Sequence, residues 1–239
     1  MNDSPADTDF LAGAMLLIDK PKEWTSFDVV NKIRYAINIK KVGHAGTLDP
    51  LATGLLIICT GKFTKKLTEL QGMDKEYEVI FKLGATTASY DAEQPEENLC
   101  DATHITREQV AAAMTTFLGE IDQVPPVFSA IKVNGKRAYK SARQGQEVEL
   151  KSRRVSILAF ELLEDDSLEA NTFSARIHCT KGTYIRSLVH DLGQALGVGA
   201  YIRELRRTAI GEQRIEAAML LSDFLAALPP RPERAKKNS

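Results

Sequence analysis

Apolar residues recur along this chain at two distinct periods, and the switches between them mark its elements. Ala14–Asp19 reads as a short strand that stops at Lys20-Pro21. Thr25 then opens a helix, with Asp28 three residues on as its capping-box partner. Phe27, Val30, Ile33 and Ile37 recur along that helix as its apolar face. Leu55–Cys59 is an uninterrupted apolar run of strand length, and Lys62–Leu70 predicts a second helix. Tyr77–Leu83 alternates with period two, placing Tyr77, Val79, Phe81 and Leu83 on one side. Residues 84–104 are acidic and irregular and predict a surface loop. Thr106–Leu118 predicts a helix started by a second capping box, Thr106 with Gln109. Asn134-Gly135 between Ala130–Val133 and Lys136–Ala138 is a hairpin signal. Val155–Leu163 and Thr172–Thr180 predict strands, the second with Phe173, Ala175, Ile177 and Cys179 inward and Arg176 and His178 outward. Thr183–Leu196 predicts a helix with Tyr184, Leu188, Leu192 and Leu196 in register.

Strands and helices interleave without a strict βαβ rhythm, and hairpins are present. This points to an α+β domain, a mixed, largely antiparallel sheet flanked by helices, and away from a doubly wound fold. No internal repeat or linker interrupts residues 12–228, so they read as one domain between flexible ends at 1–11 and 229–239. At 239 residues and 44% hydrophobic, the chain can bury a core without staples. Its longest apolar runs are far shorter than the ~20 residues of a bilayer span. The acidic start MNDSPADTDF is unlike a signal peptide. Three cysteines with no CxxC pair argue against a disulfide framework and a structural zinc site and fit a reducing cytoplasm.

The net charge of −1 conceals segregation. Residues 132–154 carry Lys132, Lys136, Arg137, Lys140, Arg143, Lys151, Arg153 and Arg154 against only Glu147 and Glu149. Residues 91–101 carry five carboxylates and no base. A basic face on a neutral protein is the footprint of a polyanion reader, although a solvated surface would show the same run.

One segment concentrates chemistry, Gly43-His44-Ala45-Gly46-Thr47-Leu48-Asp49-Pro50-Leu51-Ala52-Thr53-Gly54. Its glycines permit close approach of backbone to a ligand, and Pro50 forces Asp49 into an extended conformation. The same features suit an Asp–Pro turn with no other role. No second carboxylate or histidine stands at ligand spacing, and neither GxxxxGK[ST] nor GxGxxG occurs.

GHAGTLDPLATGLL resembles the catalytic motif of the TruB-type tRNA pseudouridine synthases. LLIDKPKEWTSFDVV is similar to that family's opening motif, DKEYEV to its tyrosine strand, and QVPPVFSAIKVNGKRAYKSARQG to its central motif. CTKGTYIRSLVHDLG and GAYIRELRRTAIG resemble its closing motifs, so the likeness runs in order from about residue 14 to 215. It implies the pseudouridine synthase fold and an isomerase that flips a uridine out of RNA, cleaves its glycosidic bond and rejoins the base through carbon 5. The implied target is the T-loop uridine at position 55 of tRNA, with no cofactor, no metal, no membrane and no protein partner required. A cytoplasmic monomer is expected.

The resemblance assigns Asp49 as the catalytic carboxylate and Arg186 as the cation that keeps it ionised, gripping both oxygens from one turn into its helix. Tyr77 is implied as the residue stacked on the base, and base catalysis by it would require a nearby cation. His44, Tyr184, Leu205 and Lys132 are implied to touch substrate, His44 by filling the space the uridine leaves. Pro125-Pro126 with Ser129-Ala130-Ile131-Lys132 is implied to support the pocket, and Lys136, Arg137, Lys140, Arg143, Arg153 and Arg154 of the basic segment around 125–154 would meet phosphates. Two departures stand out. Phe128 replaces a tyrosine common in relatives, and no additional C-terminal PUA-like RNA-binding domain is expected after Leu228. Two other classes share parts of the pattern: guide-RNA-dependent synthases, which use such an extra domain, and non-catalytic RNA-binding or tRNA-folding chaperones.

Overall fold

Both capping boxes form as the sequence requires. In a computed structural model of the chain, Thr25 and Asp28 exchange side-chain and backbone hydrogen bonds at the start of one helix, and Thr106 and Gln109 do so at another. The structure describes residues 4–129, 150–165 and 167–229, with the backbone of 132–133 and 136–137.

In chain order the strands are β1 (Met15–Lys20), β2 (Val42–His44), β3 (Thr53–Thr60), β4 (Lys75–Leu83), β5 (Gly119–Gln123), β6 (Lys132–Val133), β7 (Lys136–Arg137), β8 (Arg153–Leu163), β9 (Thr172–Cys179), β10 (Ala200–Ile210), β11 (Gln213–Arg214) and β12 (Met219–Leu220). Among the described residues the α-helices are α1 (Ser26–Ile37), α2 (Leu67–Gly72), α3 (Arg107–Thr115), α4 (Ile185–Ala195) and α5 (Leu221–Ala226). One sheet runs β12-β1-β3-β10-β4-β9-β8-β5, with β2 added beside β3 and β11 beside β10. Among the described strand pairings, β1–β12 and β3–β10 are parallel and the others antiparallel. The separate β6–β7 ladder is the hairpin expected around Asn134-Gly135.

The sheet buries its two halves differently. The β4, β9 and β8 half packs against α3 and α4 through Val79, Phe81, Val110, Met114, Ile177, Leu188 and Leu192. The β1 and β3 half packs against α1 and α5 through Ile18, Val29, Ile33, Leu56, Ile58 and Phe224. Phe10, which falls in a stretch expected to be flexible, is buried edge-on against Phe224 at 6.1 Å. Among the described residues no helix is long and apolar enough to cross a membrane.

Four details differ from the periodic reading. On α1 the buried stripe is Ser26, Val29, Val30 and Ile33, whose spacing leaves Phe27 pointing outward, 59% exposed. The helix expected at 62–70 is divided between a 3₁₀ turn, Gly61–Lys66, and α2. Tyr184 precedes α4 as its N-cap instead of lying in helical register. Residues 84–104 do not form a plain surface loop. They double back through the Thr86–Glu97 bridge and bury Thr87, Ser89 and Asp91 beneath α4 and β10.

Candidate active site

The loop between β2 and β3 is held from three directions. At the start of α1 the buried Ser26 hydroxyl accepts the Leu48 N–H at 2.8 Å and donates to the Leu48 carbonyl at 3.2 Å. From β1, the buried Lys20 ammonium donates to the carbonyls of Pro21, Trp24 and Pro50. Burial pushes the Lys20 pKa down to about 8, against the opposing pull of the Asp49 charge. From β10, the buried Arg207 guanidinium donates to the carbonyls of Leu55 (2.8 Å), Gly46 (3.2 Å) and Thr47 (3.4 Å). Gly54 closes the loop at φ 100°, where a Cβ would lie 2.3 Å from the Arg207 carbonyl oxygen. Only glycine fits there.

These restraints point Asp49 into a cavity of about 280 Å³ lined also by Tyr77, Tyr184, Arg186, Leu205 and Arg207. The Asp49 side chain remains 41% exposed to that space, whereas its partner Arg186 is 5% exposed. Arg186 Nη2 pairs with Asp49 Oδ2 at 2.9 Å and donates to the Phe128 carbonyl at 3.0 Å. Its Nη1 donates to the Ser89 carbonyl at 3.0 Å and lies 3.5 Å from Asp91 Oδ2. The expected two-pronged grip on Asp49 is therefore corrected: one nitrogen meets one carboxylate oxygen, and the remaining bonds of the two terminal nitrogens go to the acidic segment and to the backbone at Phe128, while Nε has no partner. Arg186 is the second residue of α4, in its first turn, which brings it beside Asp49. The contact at position 128 uses backbone, so it does not depend on phenylalanine replacing tyrosine.

Tyr77 sits on β4, buried, with burial pushing its pKa up and the Arg207 charge opposing that rise. The cation that base catalysis would require is thus beside it. Leu205 lines the cavity from β10, and Tyr184 lines it from the mouth of α4, with the Arg153 guanidinium 5.1 Å from its ring centre. Arg153 therefore belongs to the cavity, not only to a phosphate-facing surface. Arg154 is exposed and close to Asp122 at 3.6 Å and Glu120 at 4.0 Å. His44 lies two residues before the cavity-lining Gly46, with its Nδ1 unpartnered and its pKa lowered by burial. Lys140 and Arg143, and the side chains of Lys132, Lys136 and Arg137, lie outside the described residues. Among the described residues no group of three or more His, Cys, Asp or Glu could hold a metal ion.

Lys20, Asp91, Gln123 and Arg207 gained no role from sequence. The available signal was charge inside apolar strands: Lys20 ends β1 and Arg207 lies in β10, and a charge in a buried strand demands a fixed set of partners.

The mixed sheet and its carboxylate-bearing cavity agree with the pseudouridine synthase fold expected from the resemblance. In a crystal structure of a Cbf5-Nop10-Gar1 complex, one chain matches at TM-score 0.68 and 32% identity, over 91% of this chain and 54% of that chain. This chain thus spans about half the length of that neighbour. A model of the TruB family pseudouridylate synthase N-terminal domain matches residues 34–185, and one of the tRNA pseudouridylate synthase B C-terminal domain matches 186–236. The boundary between them falls inside α4, and the second segment supplies β10 to the middle of the same sheet. A tRNA pseudouridine synthase B from Parabacteroides distasonis is 51% identical over 91% of this chain and 95% of its own length. Another, from Chloroherpeton thalassium, is 46% identical over 95% of each. The chain belongs to the TruB family of pseudouridylate synthases.

Proposed function

We propose that this chain converts a uridine of tRNA, the T-loop uridine at position 55, into pseudouridine in the cavity around Asp49. The observation that carries the reading is the pairing of a solvent-reachable Asp49 with a buried Arg186 whose two terminal nitrogens are both engaged. A guanidinium fixed in place holds the carboxylate aimed without reorganising when substrate arrives. The names of the relatives, tRNA pseudouridine synthase B, support the substrate class.

The isomerisation breaks the bond from ribose carbon 1′ to uracil nitrogen 1 and makes one from carbon 1′ to carbon 5. One proton leaves carbon 5 and one is gained at nitrogen 1, so atoms and electrons balance within the substrate. Asp49 enters ionised, either attacking carbon 1′ or removing a proton from the sugar. In this reading Tyr77 and Leu205, which line the cavity, flank the base, and Tyr77 accepts the carbon 5 proton as its phenolate, the form that the neighbouring Arg207 charge favours. Extruding the nucleotide costs a few kcal/mol of lost stacking, which phosphate contacts from Arg154 and the basic segment offset.

Tritium release from T-arm RNA labelled at uridine carbon 5 tests the reading. Wild type should release tritium and Asp49→Asn should not, with RNA affinity changed by no more than a few-fold. If Asp49→Asn keeps even about a tenth of wild-type release, the carboxylate is not the catalyst.

A further inference from the structure

The Tyr184 side chain walls the cavity, yet its backbone is held by a residue on another strand. Gln123 ends β5 with 0% exposure, and its carboxamide meets Tyr184 at both ends. Nε2 donates to the Tyr184 carbonyl at 3.0 Å, and Oε1 accepts the Tyr184 N–H at 2.7 Å. This is the paired exchange that a neighbouring strand would make, supplied by one side chain. Tyr184 needs it, because it is an extended N-cap residue (φ −98°, ψ 108°) whose own side chain caps nothing.

The first turn of α4 is anchored without Gln123. Ser187 Oγ donates to the Val124 carbonyl at 2.7 Å, and Arg186 donates to the Phe128 carbonyl at 3.0 Å. The Tyr184 carbonyl also accepts the Leu188 N–H at 3.1 Å, so what Gln123 adds is a second bond to that carbonyl and the bond to the Tyr184 N–H, which together set where the ring stands beneath Arg153. We propose that Gln123 is a positioning residue: its carboxamide fixes the Tyr184 backbone so that the ring holds its place as a wall of the substrate cavity. A misplacement of about 1 Å in such a wall can cost about a hundredfold in rate.

The proposal rests on the reading of this cavity as the uridine pocket, and its test separates the two. Gln123→Met keeps the shape and removes both hydrogen bonds. Hydrogen exchange reads the clamp with no substrate present: the Tyr184 amide should lose protection in Gln123→Met while those of β4 and β9 keep theirs. Unchanged exchange at Tyr184 overturns the proposal whatever the enzyme does. Wild-type turnover, measured alongside, decides the reading of function independently.

In single turnover at saturating RNA, Gln123→Met should be slower by about tenfold or more, with RNA affinity within about threefold of wild type. In a Tyr184→Ala background the same change should cost nothing further, because Gln123 acts through that ring. A loss smaller than about fivefold, a loss carried by affinity, or penalties that multiply in the double variant would each overturn it. Should Gln123→Met not fold, Gln123→Glu decides. A buried carboxyl has a raised pKa, and its protonated form donates and accepts as the amide does. Its rate relative to wild type should approach one as pH falls, and a ratio that stays low at every pH down to 5 overturns the proposal.

Discussion

Arg186 distributes its fork among four acceptors: Asp49, Asp91 and the carbonyls of Ser89 and Phe128. A single ammonium cannot reach them all, so Arg186→Lys should lower turnover by at least about a hundredfold although charge is conserved. Turnover within about threefold of wild type would show that the fork does not matter. Lys20 carries a pH signature of its own. Its folded pKa, about 8, lies below the ordinary 10.5, so the unfolded chain binds more protons between those values. Its contribution to stability is present above the unfolded value and is lost as pH falls through about 8. Chemical denaturation of wild type and Lys20→Met from pH 7 to 10.5 should show wild type gaining on the variant as pH rises. A constant difference would mean that Lys20 titrates normally. Sequence reading singled out the glycine-rich loop around Asp49 and named Asp49 and Arg186 through resemblance, but it gave no role to Lys20 or Arg207, because these hold backbone carbonyls brought near only by folding.

At the scale of elements, packing against neighbours overrides intrinsic preference. Gly193 lies within α4, where alanine is the better helix former by about 1 kcal/mol. Yet a Cβ there would stand 2.2 Å from the Ala200 nitrogen and 2.4 Å from the Gly199 carbonyl carbon, both backbone atoms at the entry to β10. Gly193→Ala should therefore destabilise by about 1–3 kcal/mol, read as a lower urea midpoint. An unchanged or higher midpoint would show that α4 can lift from β10 without cost. β10 also explains what the periodic reading missed. Its sequence, AYIRELRRTAI, carries four charges, and register shifts at Ile202/Glu204 and Arg207/Ala209 break the alternation that marks a strand. β4 and β9 kept that alternation and were legible. β5 was not, because an exposed edge strand with the sequence GEIDQ buries too little to leave a pattern.

Across the whole molecule, the carboxylates of the 84–104 segment and the bases near 150–154 serve different ends. Asp91 faces inward to Arg186, and Glu96 receives Lys82 and the Tyr201 hydroxyl, so this acidic run partly braces the site instead of only facing solvent. The bases divide in turn. Arg154 is exposed, whereas Arg153 lines the cavity over Tyr184. If RNA is held through phosphates, log affinity should fall linearly with log salt. Arg154→Ala should then shallow that slope by about one unit and leave the saturated rate unchanged. Arg153→Ala should instead slow the saturated step, because it removes the cation over the Tyr184 ring. Filter binding across a salt series, paired with single-turnover rates, separates the two effects. Equal slopes for wild type and Arg154→Ala would remove that residue from the phosphate-binding surface. A pure slope change for Arg153→Ala would return it to that surface and leave Tyr184 to wall the cavity alone.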